Sequence, residues 1–156
     1  EFYRCHPKFL ELGLSIPETW DDIYRILPVL QKNNMSVGIG SGIYQTWLYQ
    51  RGELMYKEDG VETNLDSEVA IQTFTEITEL FTLYNLLITF NAENRFRMGE
   101  MPIVISDYGL YNRLVVFAPE LREEWGFTLV PGTRMADGSI NRTLASSPTF
   151  EMVDQC

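Results

Sequence analysis

The sequence has few basic residues and no long apolar run. Its 156 residues include 12 Lys and Arg against 22 Asp and Glu, which gives a formal net charge of −10. Nucleic acids and anionic membrane surfaces are bound largely through Lys and Arg, so this balance argues against both as partners. No apolar run approaches the roughly 18 residues that a membrane-spanning helix needs. The opening EFYRCHPK lacks the apolar core of a signal peptide, which leaves a cytoplasmic protein or a mature or excised segment.

Histidine and cysteine are also scarce. His6 is the only histidine, so a Ser–His–Asp or Cys–His catalytic set would have to use it. Adjacency to Cys5 does not by itself give that geometry, and one histidine with two distant cysteines cannot supply four zinc ligands without carboxylates. We therefore predict no catalytic residue, no metal and no cofactor. Cys5 and Cys156 form a disulfide across almost the whole chain if the termini meet, or remain as two free thiols.

Apolar periodicity predicts helices that alternate with short strands. Helices are expected within 16–34, 41–52, 66–85, 92–99 and 110–126, the last of them broken at Pro119, and strands at 36–40, 101–106 and 127–131. Residues 132–148 are turn-rich and predict loop with limited strand. The alternation predicts one α/β domain over 1–156, with a small sheet covered by helices on both faces.

Local signals refine these elements. Thr19 with Asp22 three residues later is an acidic variant of the capping box, and Pro28 predicts a kink or break in the helix that follows. Asp59-Gly60 is a hairpin turn signal. The inward face of the long helix is predicted to contain Val69, Phe74, Ile77, Leu80, Phe81 and Tyr84.

Two short motifs have alternative interpretations. VGIGSGI (37–43) lies between a predicted strand and a predicted helix, as a dinucleotide fingerprint does. Its third glycine comes one residue early, and no acidic residue ends a second strand about 20 residues later. We favour a tight strand-to-helix turn over a nucleotide-binding enzyme. NRT (141–143) matches the N-glycosylation pattern, a match that is common by chance.

Aromatic residues are the most informative class. The segments YQTWLYQ (44–50) and DYGLYN (107–112) each place Tyr or Trp just after a predicted strand-to-helix turn. In open α/β sheets, ligands collect outside the carboxyl ends of the strands. A sugar ring needs an aromatic face for its C–H surface and hydrogen-bonding side chains for its hydroxyls. From the residues alone, a binding site and ordinary core packing both remain open.

The order of several motifs resembles family 1 extracellular solute-binding proteins, the receptors of bacterial ABC importers that include maltodextrin-binding protein. In chain order these motifs are IPETWDDIYRILPVLQ, YQTW, the acidic turn with the long helix, NRFRMGEMPIVISDYGLYN and EEWGFTLVPG, and they cover about residues 12–142. The resemblance implies a single lobe of a type II periplasmic-binding-protein-like fold, the second lobe in chain order, with a small mixed sheet flanked by helices. Residues 1–11 and 143–156 depart from the family pattern.

The resemblance also implies site residues. The family's ring-stacking aromatic falls near Tyr44, with Trp47 as the next candidate, and an aromatic pair falls on Tyr108 and Tyr111. Side chains that would bind sugar hydroxyls are Asp107 and Asn112.

The implied function is non-catalytic binding of a carbohydrate or similar small polar solute in the cleft between two lobes. A membrane permease is the implied partner, and the implied location of the parent protein is extracellular or at the cell surface as a lipoprotein. The alternative is an excised or engineered single-lobe module without retained binding, which Cys5 and Cys156 at the altered ends support. An exposed lobe-facing surface predicts self-association.

Overall fold

The computed structural model describes residues 2–4 (backbone only), 9, 11–40, 42–122 and 124–144. Cys5, His6 and Cys156 lie outside the described residues, so the predicted disulfide stays a prediction. Within the described part of the chain, no helix is both long and apolar enough to cross a membrane.

The helices follow the predicted order. They are α1 (Trp20–Lys32), α2 (Ile43–Gln50), α3 (Glu68–Thr82), α4 (Ala92–Arg97) and α5 (Gly109–Phe117), and a 3-10 turn follows at Pro119–Leu121. Gly52 (φ +82°) and Gly99 (φ +76°) adopt left-handed conformations just after α2 and α4, as the sequence predicts for helix ends.

The sheet is mixed, as predicted. It contains β1 (Phe2–Arg4), β2 (Val37–Ile39), β3 (Ile103–Ile105) and β4 (Trp125–Phe127) in the order β2–β3–β1–β4. The β2 and β3 strands are parallel, whereas β1 is antiparallel to both β3 and β4. A separate antiparallel pair is formed by β5 (Thr133–Arg134) and β6 (Ile140–Asn141).

Two strand predictions need correction. Nothing in the sequence predicted β1, because its pairing partners lie about a hundred residues away, as in the pair Phe2 and Val104. The last strand of the sheet covers Trp125–Phe127 rather than 127–131, so the segment predicted as mostly helical to residue 126 ends in a strand. The predicted break at Pro119 is confirmed, because α5 ends at Phe117 and a 3-10 turn begins at Pro119.

Helices cover both faces of the sheet. Ile103 and Ile105 pack in a cluster with α1, α2 and α3, whereas Val104 points to the opposite face and packs with residues of α4 and α5. This alternation is the period of two that a strand imposes. Both faces are therefore apolar, as expected for a sheet between two helix layers.

The start of α1 has the predicted capping box. The Asp22 backbone N–H donates to Thr19 Oγ1 at 3.3 Å, and the Thr19 N–H donates to the Asp22 carboxylate at 3.0 Å. The helix continues through Pro28 to Lys32, so the predicted break does not occur. Pro28 removes one helical hydrogen bond, yet the buried side chains of α1 on both sides of it hold the helix against the sheet.

The inward face of α3 differs from the prediction. Its buried residues are Ala70, Thr73, Ile77 and Leu80, whereas Phe74 is 63% exposed. The small side chains of Ala70 and Thr73 belong on this face, which packs against α2. A prediction based on large apolar residues therefore selected Phe74 wrongly, although Ile77 and Leu80 are confirmed.

Gln50 joins three segments through buried hydrogen bonds. Its side-chain oxygen accepts from the indole N–H of Trp20 (2.8 Å) and the hydroxyl of Thr133 (3.2 Å). Its side-chain nitrogen donates to the Pro131 carbonyl (3.1 Å), and its own carbonyl accepts from the Asn141 amide (2.7 Å). The asparagine of the NRT motif is therefore used inside the fold.

We predict that Gln50→Leu destabilises the protein by about 2–4 kcal/mol, because buried polar groups of Trp20, Thr133 and Pro131 lose their partner. Urea unfolding measures this loss. Gln72→Leu is the matched control, since Gln72 is exposed on α3 and should change stability by less than about 0.5 kcal/mol. Equal effects of the two substitutions would show that Gln50 has no special role.

The Asp22 carboxyl makes the stability of the α1 N-terminus depend on pH. Burial alone would raise the pKa of its carboxyl. Hydrogen bonds from Thr19 and from the Glu18 N–H, together with the charge of Arg25, outweigh burial and hold this pKa below its ordinary value of 3.8. A lowered pKa means that the stabilisation is complete above pH 3.8 and is lost as pH falls through the lowered pKa.

We expect Asp22→Asn to cost about 1 kcal/mol at neutral pH, with a difference from wild type that shrinks toward zero in acid. Unfolding curves across the acidic range test this. Thr19→Ala should reduce the same pH dependence, because it removes a hydrogen bond to the carboxylate. A wild-type advantage that stays constant down to the most acid sample would be incompatible with this role.

Candidate functional site

Two tyrosines form a stacked pair where β3 leads into α5. The rings of Tyr108 and Tyr111 have centroids 5.2 Å apart and are inclined by only 9°. Tyr108 is 44% exposed, whereas Tyr111 is half-buried beneath it. The pair therefore presents aromatic surface to solvent while its lower ring is held by the protein.

A row of aromatic rings supports this pair from below. Phe127 packs edge-on against both Tyr108 (6.4 Å) and Tyr111 (5.8 Å), and Trp125 packs edge-on against Tyr111 (5.8 Å). Trp125 in turn contacts the fully buried Phe96 at 6.4 Å. Trp125 and Phe127 were not predicted for the site. The alternating WGF of the edge strand is the signal that would have placed both rings on one face.

The two predicted polar partners flank the tyrosine pair. Asp107 and Asn112 are exposed, and in the described part of the chain neither side chain forms a hydrogen bond. A Cβ on Gly109 would lie 2.7 Å from Asp107 Oδ1, so glycine lets this carboxylate lie against the start of α5. One acceptor group and one amide are thus available beside the exposed ring.

The register of the parallel strands brings the two predicted segments to one edge of the sheet. Ile39 and Ile105 are paired, and the Gly40 N–H donates to the Ile105 carbonyl at 3.1 Å. Helices α2 and α5 each begin four residues after this pair, at Ile43 and Gly109. Both aromatic segments therefore start at the carboxyl ends of neighbouring strands, where open α/β sheets bind ligands.

Tyr44 is half-buried and directed toward α3. Its hydroxyl donates to the Ala70 carbonyl at 3.3 Å, and its ring packs edge-on against Phe74 at 6.1 Å. Burial raises the pKa of this hydroxyl above its ordinary value. Tyr44 thus offers only part of its ring at the sheet edge.

Trp47 lies deeper than the other predicted site residues. It is 1% exposed and stacks on Trp20 with ring centroids 4.6 Å apart. The Arg51 guanidinium lies 5.2 Å from the centre of its ring. Trp47 therefore belongs to the core beneath α2, one turn beyond Tyr44.

The glycines of VGIGSGI have structural roles. A Cβ on Gly38 would lie 2.9 Å from the Phe90 ring, so glycine allows that ring to pack on β2. Gly42 has φ +92° and directs the chain into α2. These roles are those of the tight strand-to-helix turn that we favoured. In the described part of the chain, no three His, Cys, Asp or Glu residues group to hold a metal ion.

Solved structures of solute-binding proteins share this fold. A solute-binding protein of an ABC transporter from Thermotoga lettingae TMO, solved with α-D-tagatose, matches at TM-score 0.70 and 20% identity, over 92% of this chain and 39% of its own. An ABC substrate-binding protein from Listeria monocytogenes, in complex with cycloalternan, matches at TM-score 0.66 and 18% identity, over 86% and 37%. The GacH receptor of Streptomyces glaucescens GLA.O, solved unliganded and with acarbose, matches at TM-score 0.63 and 15% identity, over 83% and 36%.

These likenesses confirm the predicted fold class. The chain spans less than two-fifths of the length of each of these proteins, which is consistent with one lobe. No family model and no curated protein sequence matches the chain.

We predict that the two stacked tyrosines differ in their contribution to stability. Tyr111→Ala should cost about 2–3 kcal/mol, because Tyr111 packs against Tyr108, Trp125 and Phe127. Tyr108→Ala should cost less than about 1 kcal/mol, as should the control Tyr56→Ala at a 53% exposed position. Urea unfolding measures both losses of stability. A larger loss for Tyr108→Ala than for Tyr111→Ala would mean that Tyr108, and not Tyr111, is the ring that the protein holds in place.

Proposed function

We propose that this chain, which has the fold of ABC-transporter solute-binding proteins, is one lobe of such a receptor and forms one wall of a carbohydrate-binding cleft. The observation that carries the proposal is the stacked pair of Tyr108 and Tyr111 at the carboxyl end of β3, supported by rings of the edge strand. Soluble domains seldom hold an aromatic pair at the ligand edge of a sheet without a partner for it.

The chemistry of the surface suits a sugar ring. The exposed ring of Tyr108 offers an apolar face to the C–H groups of a pyranose, and Asp107 and Asn112 offer an acceptor and an amide to its hydroxyls. Tyr44 lies at the neighbouring strand end, where its hydroxyl and ring engage α3. In this proposal Trp47 packs α2 against the core and does not contact the sugar, since it is almost wholly buried.

The solved relatives support the substrate class. The three structures were determined with tagatose, cycloalternan and acarbose. In the proposed receptor, ligand bridges two lobes and favours the closed form, which then docks on a membrane permease. The protein binds and does not catalyse, and it works outside the cytoplasm or at the cell surface.

Self-association is the second use that we propose for the same surface. Tyr108 is 44% exposed, and a second copy of the chain can cover that exposed surface. The alternative of a structural module without retained binding differs in one respect, namely that no carbohydrate interacts with the tyrosine pair.

We predict weak carbohydrate binding by the single lobe, because it supplies only half of the contacts. Calorimetric titration with a panel of oligosaccharides should give dissociation constants weaker than about 1 mM. Tyr108→Ala should remove this binding while the fold is kept. A micromolar dissociation constant for the single lobe would contradict the half-site, and a Tyr108→Ala variant with wild-type affinity would place the sugar elsewhere.

A further inference from the structure

A groove of about 260 Å³ lies at the far end of α2 from the tyrosine surface. It is bounded by the start of α1, the end of α2, the middle of α3 and strand β5. Along α2, Arg51 in this groove is seven residues from Tyr44, which is about 10 Å at the helical rise. The groove is therefore separate from the proposed carbohydrate surface, and it suits a ligand smaller than a drug-sized molecule.

Two charges on the floor of the groove neutralise each other. The Arg51 guanidinium forms an ion pair with Glu76 and donates a second hydrogen bond to the Thr73 hydroxyl at 3.1 Å. Its face lies over the Trp47 ring. This arrangement keeps Arg51 and Glu76 engaged with the protein, so the charges that remain for a ligand lie on the rim.

The rim carries one acid and one base without ion-pair partners. Asp21 at the start of α1 and Arg134 at the end of β5 both line the groove and are exposed. Within the described residues, neither side chain takes part in an ion pair or a side-chain hydrogen bond. The groove therefore presents opposite charges with no net excess, which disfavours a simple anion or a simple cation.

The indole N–H of Trp47 is an unused hydrogen-bond donor at the groove. Trp47 lines the groove and is 1% exposed, yet no hydrogen bond among the described residues uses its N–H. Its stacking partner Trp20 donates its own indole N–H to Gln50 at 2.8 Å. Within the described residues, Trp47 Nε1 is not among the atoms that are sealed from solvent without a partner, so a water or a ligand oxygen in the groove can accept from it.

We propose that this groove binds a small zwitterion of the α-amino acid class. The ammonium group pairs with Asp21, while the carboxylate supplies acceptors for Arg134 and for the Trp47 N–H. Carboxylates bind guanidinium groups with particular strength because both partners are charged and planar. A neutral sugar lacks both charges and gains nothing from Asp21 and Arg134 together.

The indole signals of ¹⁵N-labelled protein test the proposal. The chain contains 3 Trp, so Trp47→Phe identifies the Trp47 signal by its loss. Titration with glycine into the tens of millimolar should move that signal along a saturable curve, while the Trp125 signal stays in place. Absence of saturation, or an equal response to sodium acetate, methylammonium chloride or maltose, would overturn the proposal.

Substitutions that remove a charge from the groove provide a second test of glycine binding. Asp21→Asn and Arg134→Gln should each weaken glycine binding by about tenfold or more. The matched controls are Asp66→Asn and Arg122→Gln, which make the same charge changes at exposed positions that do not line the groove. Amide spectra that overlay with wild type confirm the fold of each variant. Wild-type affinity in both groove variants would overturn the assignment.

Discussion

The buried amide of Gln50 is the interaction on which the arrangement of this chain depends. The partners of this side chain are 30, 81 and 83 residues away, and the Gln50 backbone carbonyl accepts from Asn141, 91 residues away. All four partners lie on α1 or on the segment that forms β5 and β6. Because a buried amide is costly to leave unsatisfied, these bonds select one arrangement of α1, α2 and the β5–β6 segment, in addition to the apolar packing that α1 and α2 share. Gly132 reinforces it through backbone bonds to Glu18 and Trp20.

This arrangement places the two proposed sites at opposite ends of α2. Its first turn begins at the carboxyl end of β2, next to β3 and the tyrosine surface, whereas its last turn borders the groove. The stack of Trp47 on Trp20 packs α2 against the start of α1. On the opposite face of the sheet, the rings from Phe96 to Tyr108 connect the core to the proposed sugar surface, so that surface rests on packed aromatic side chains.

The sequence correctly predicted features that depend on residues close together in the chain. Thr19 and Asp22 cap α1 as expected, whereas Tyr108 and Tyr111 were named as an aromatic pair through the resemblance to solute-binding proteins. Strand β1 was missed because its pairing is wholly long-range. Phe74 was misplaced because its environment depends on how closely the small residues of α3 let α2 approach. Within the proposed site, the supporting Phe127 comes from a strand that packing, rather than pattern, brings to Tyr108.

The most direct test of the central claim is saturation-transfer NMR with an oligosaccharide that the lobe binds weakly. If the Tyr108–Tyr111 pair is the sugar surface, irradiation of the aromatic protons transfers saturation to the sugar ring protons in wild type and in Tyr56→Ala. The same transfer is lost in Tyr108→Ala, since only that variant removes the exposed ring of the stacked pair. Equal transfer in Tyr108→Ala and in wild type would contradict the account.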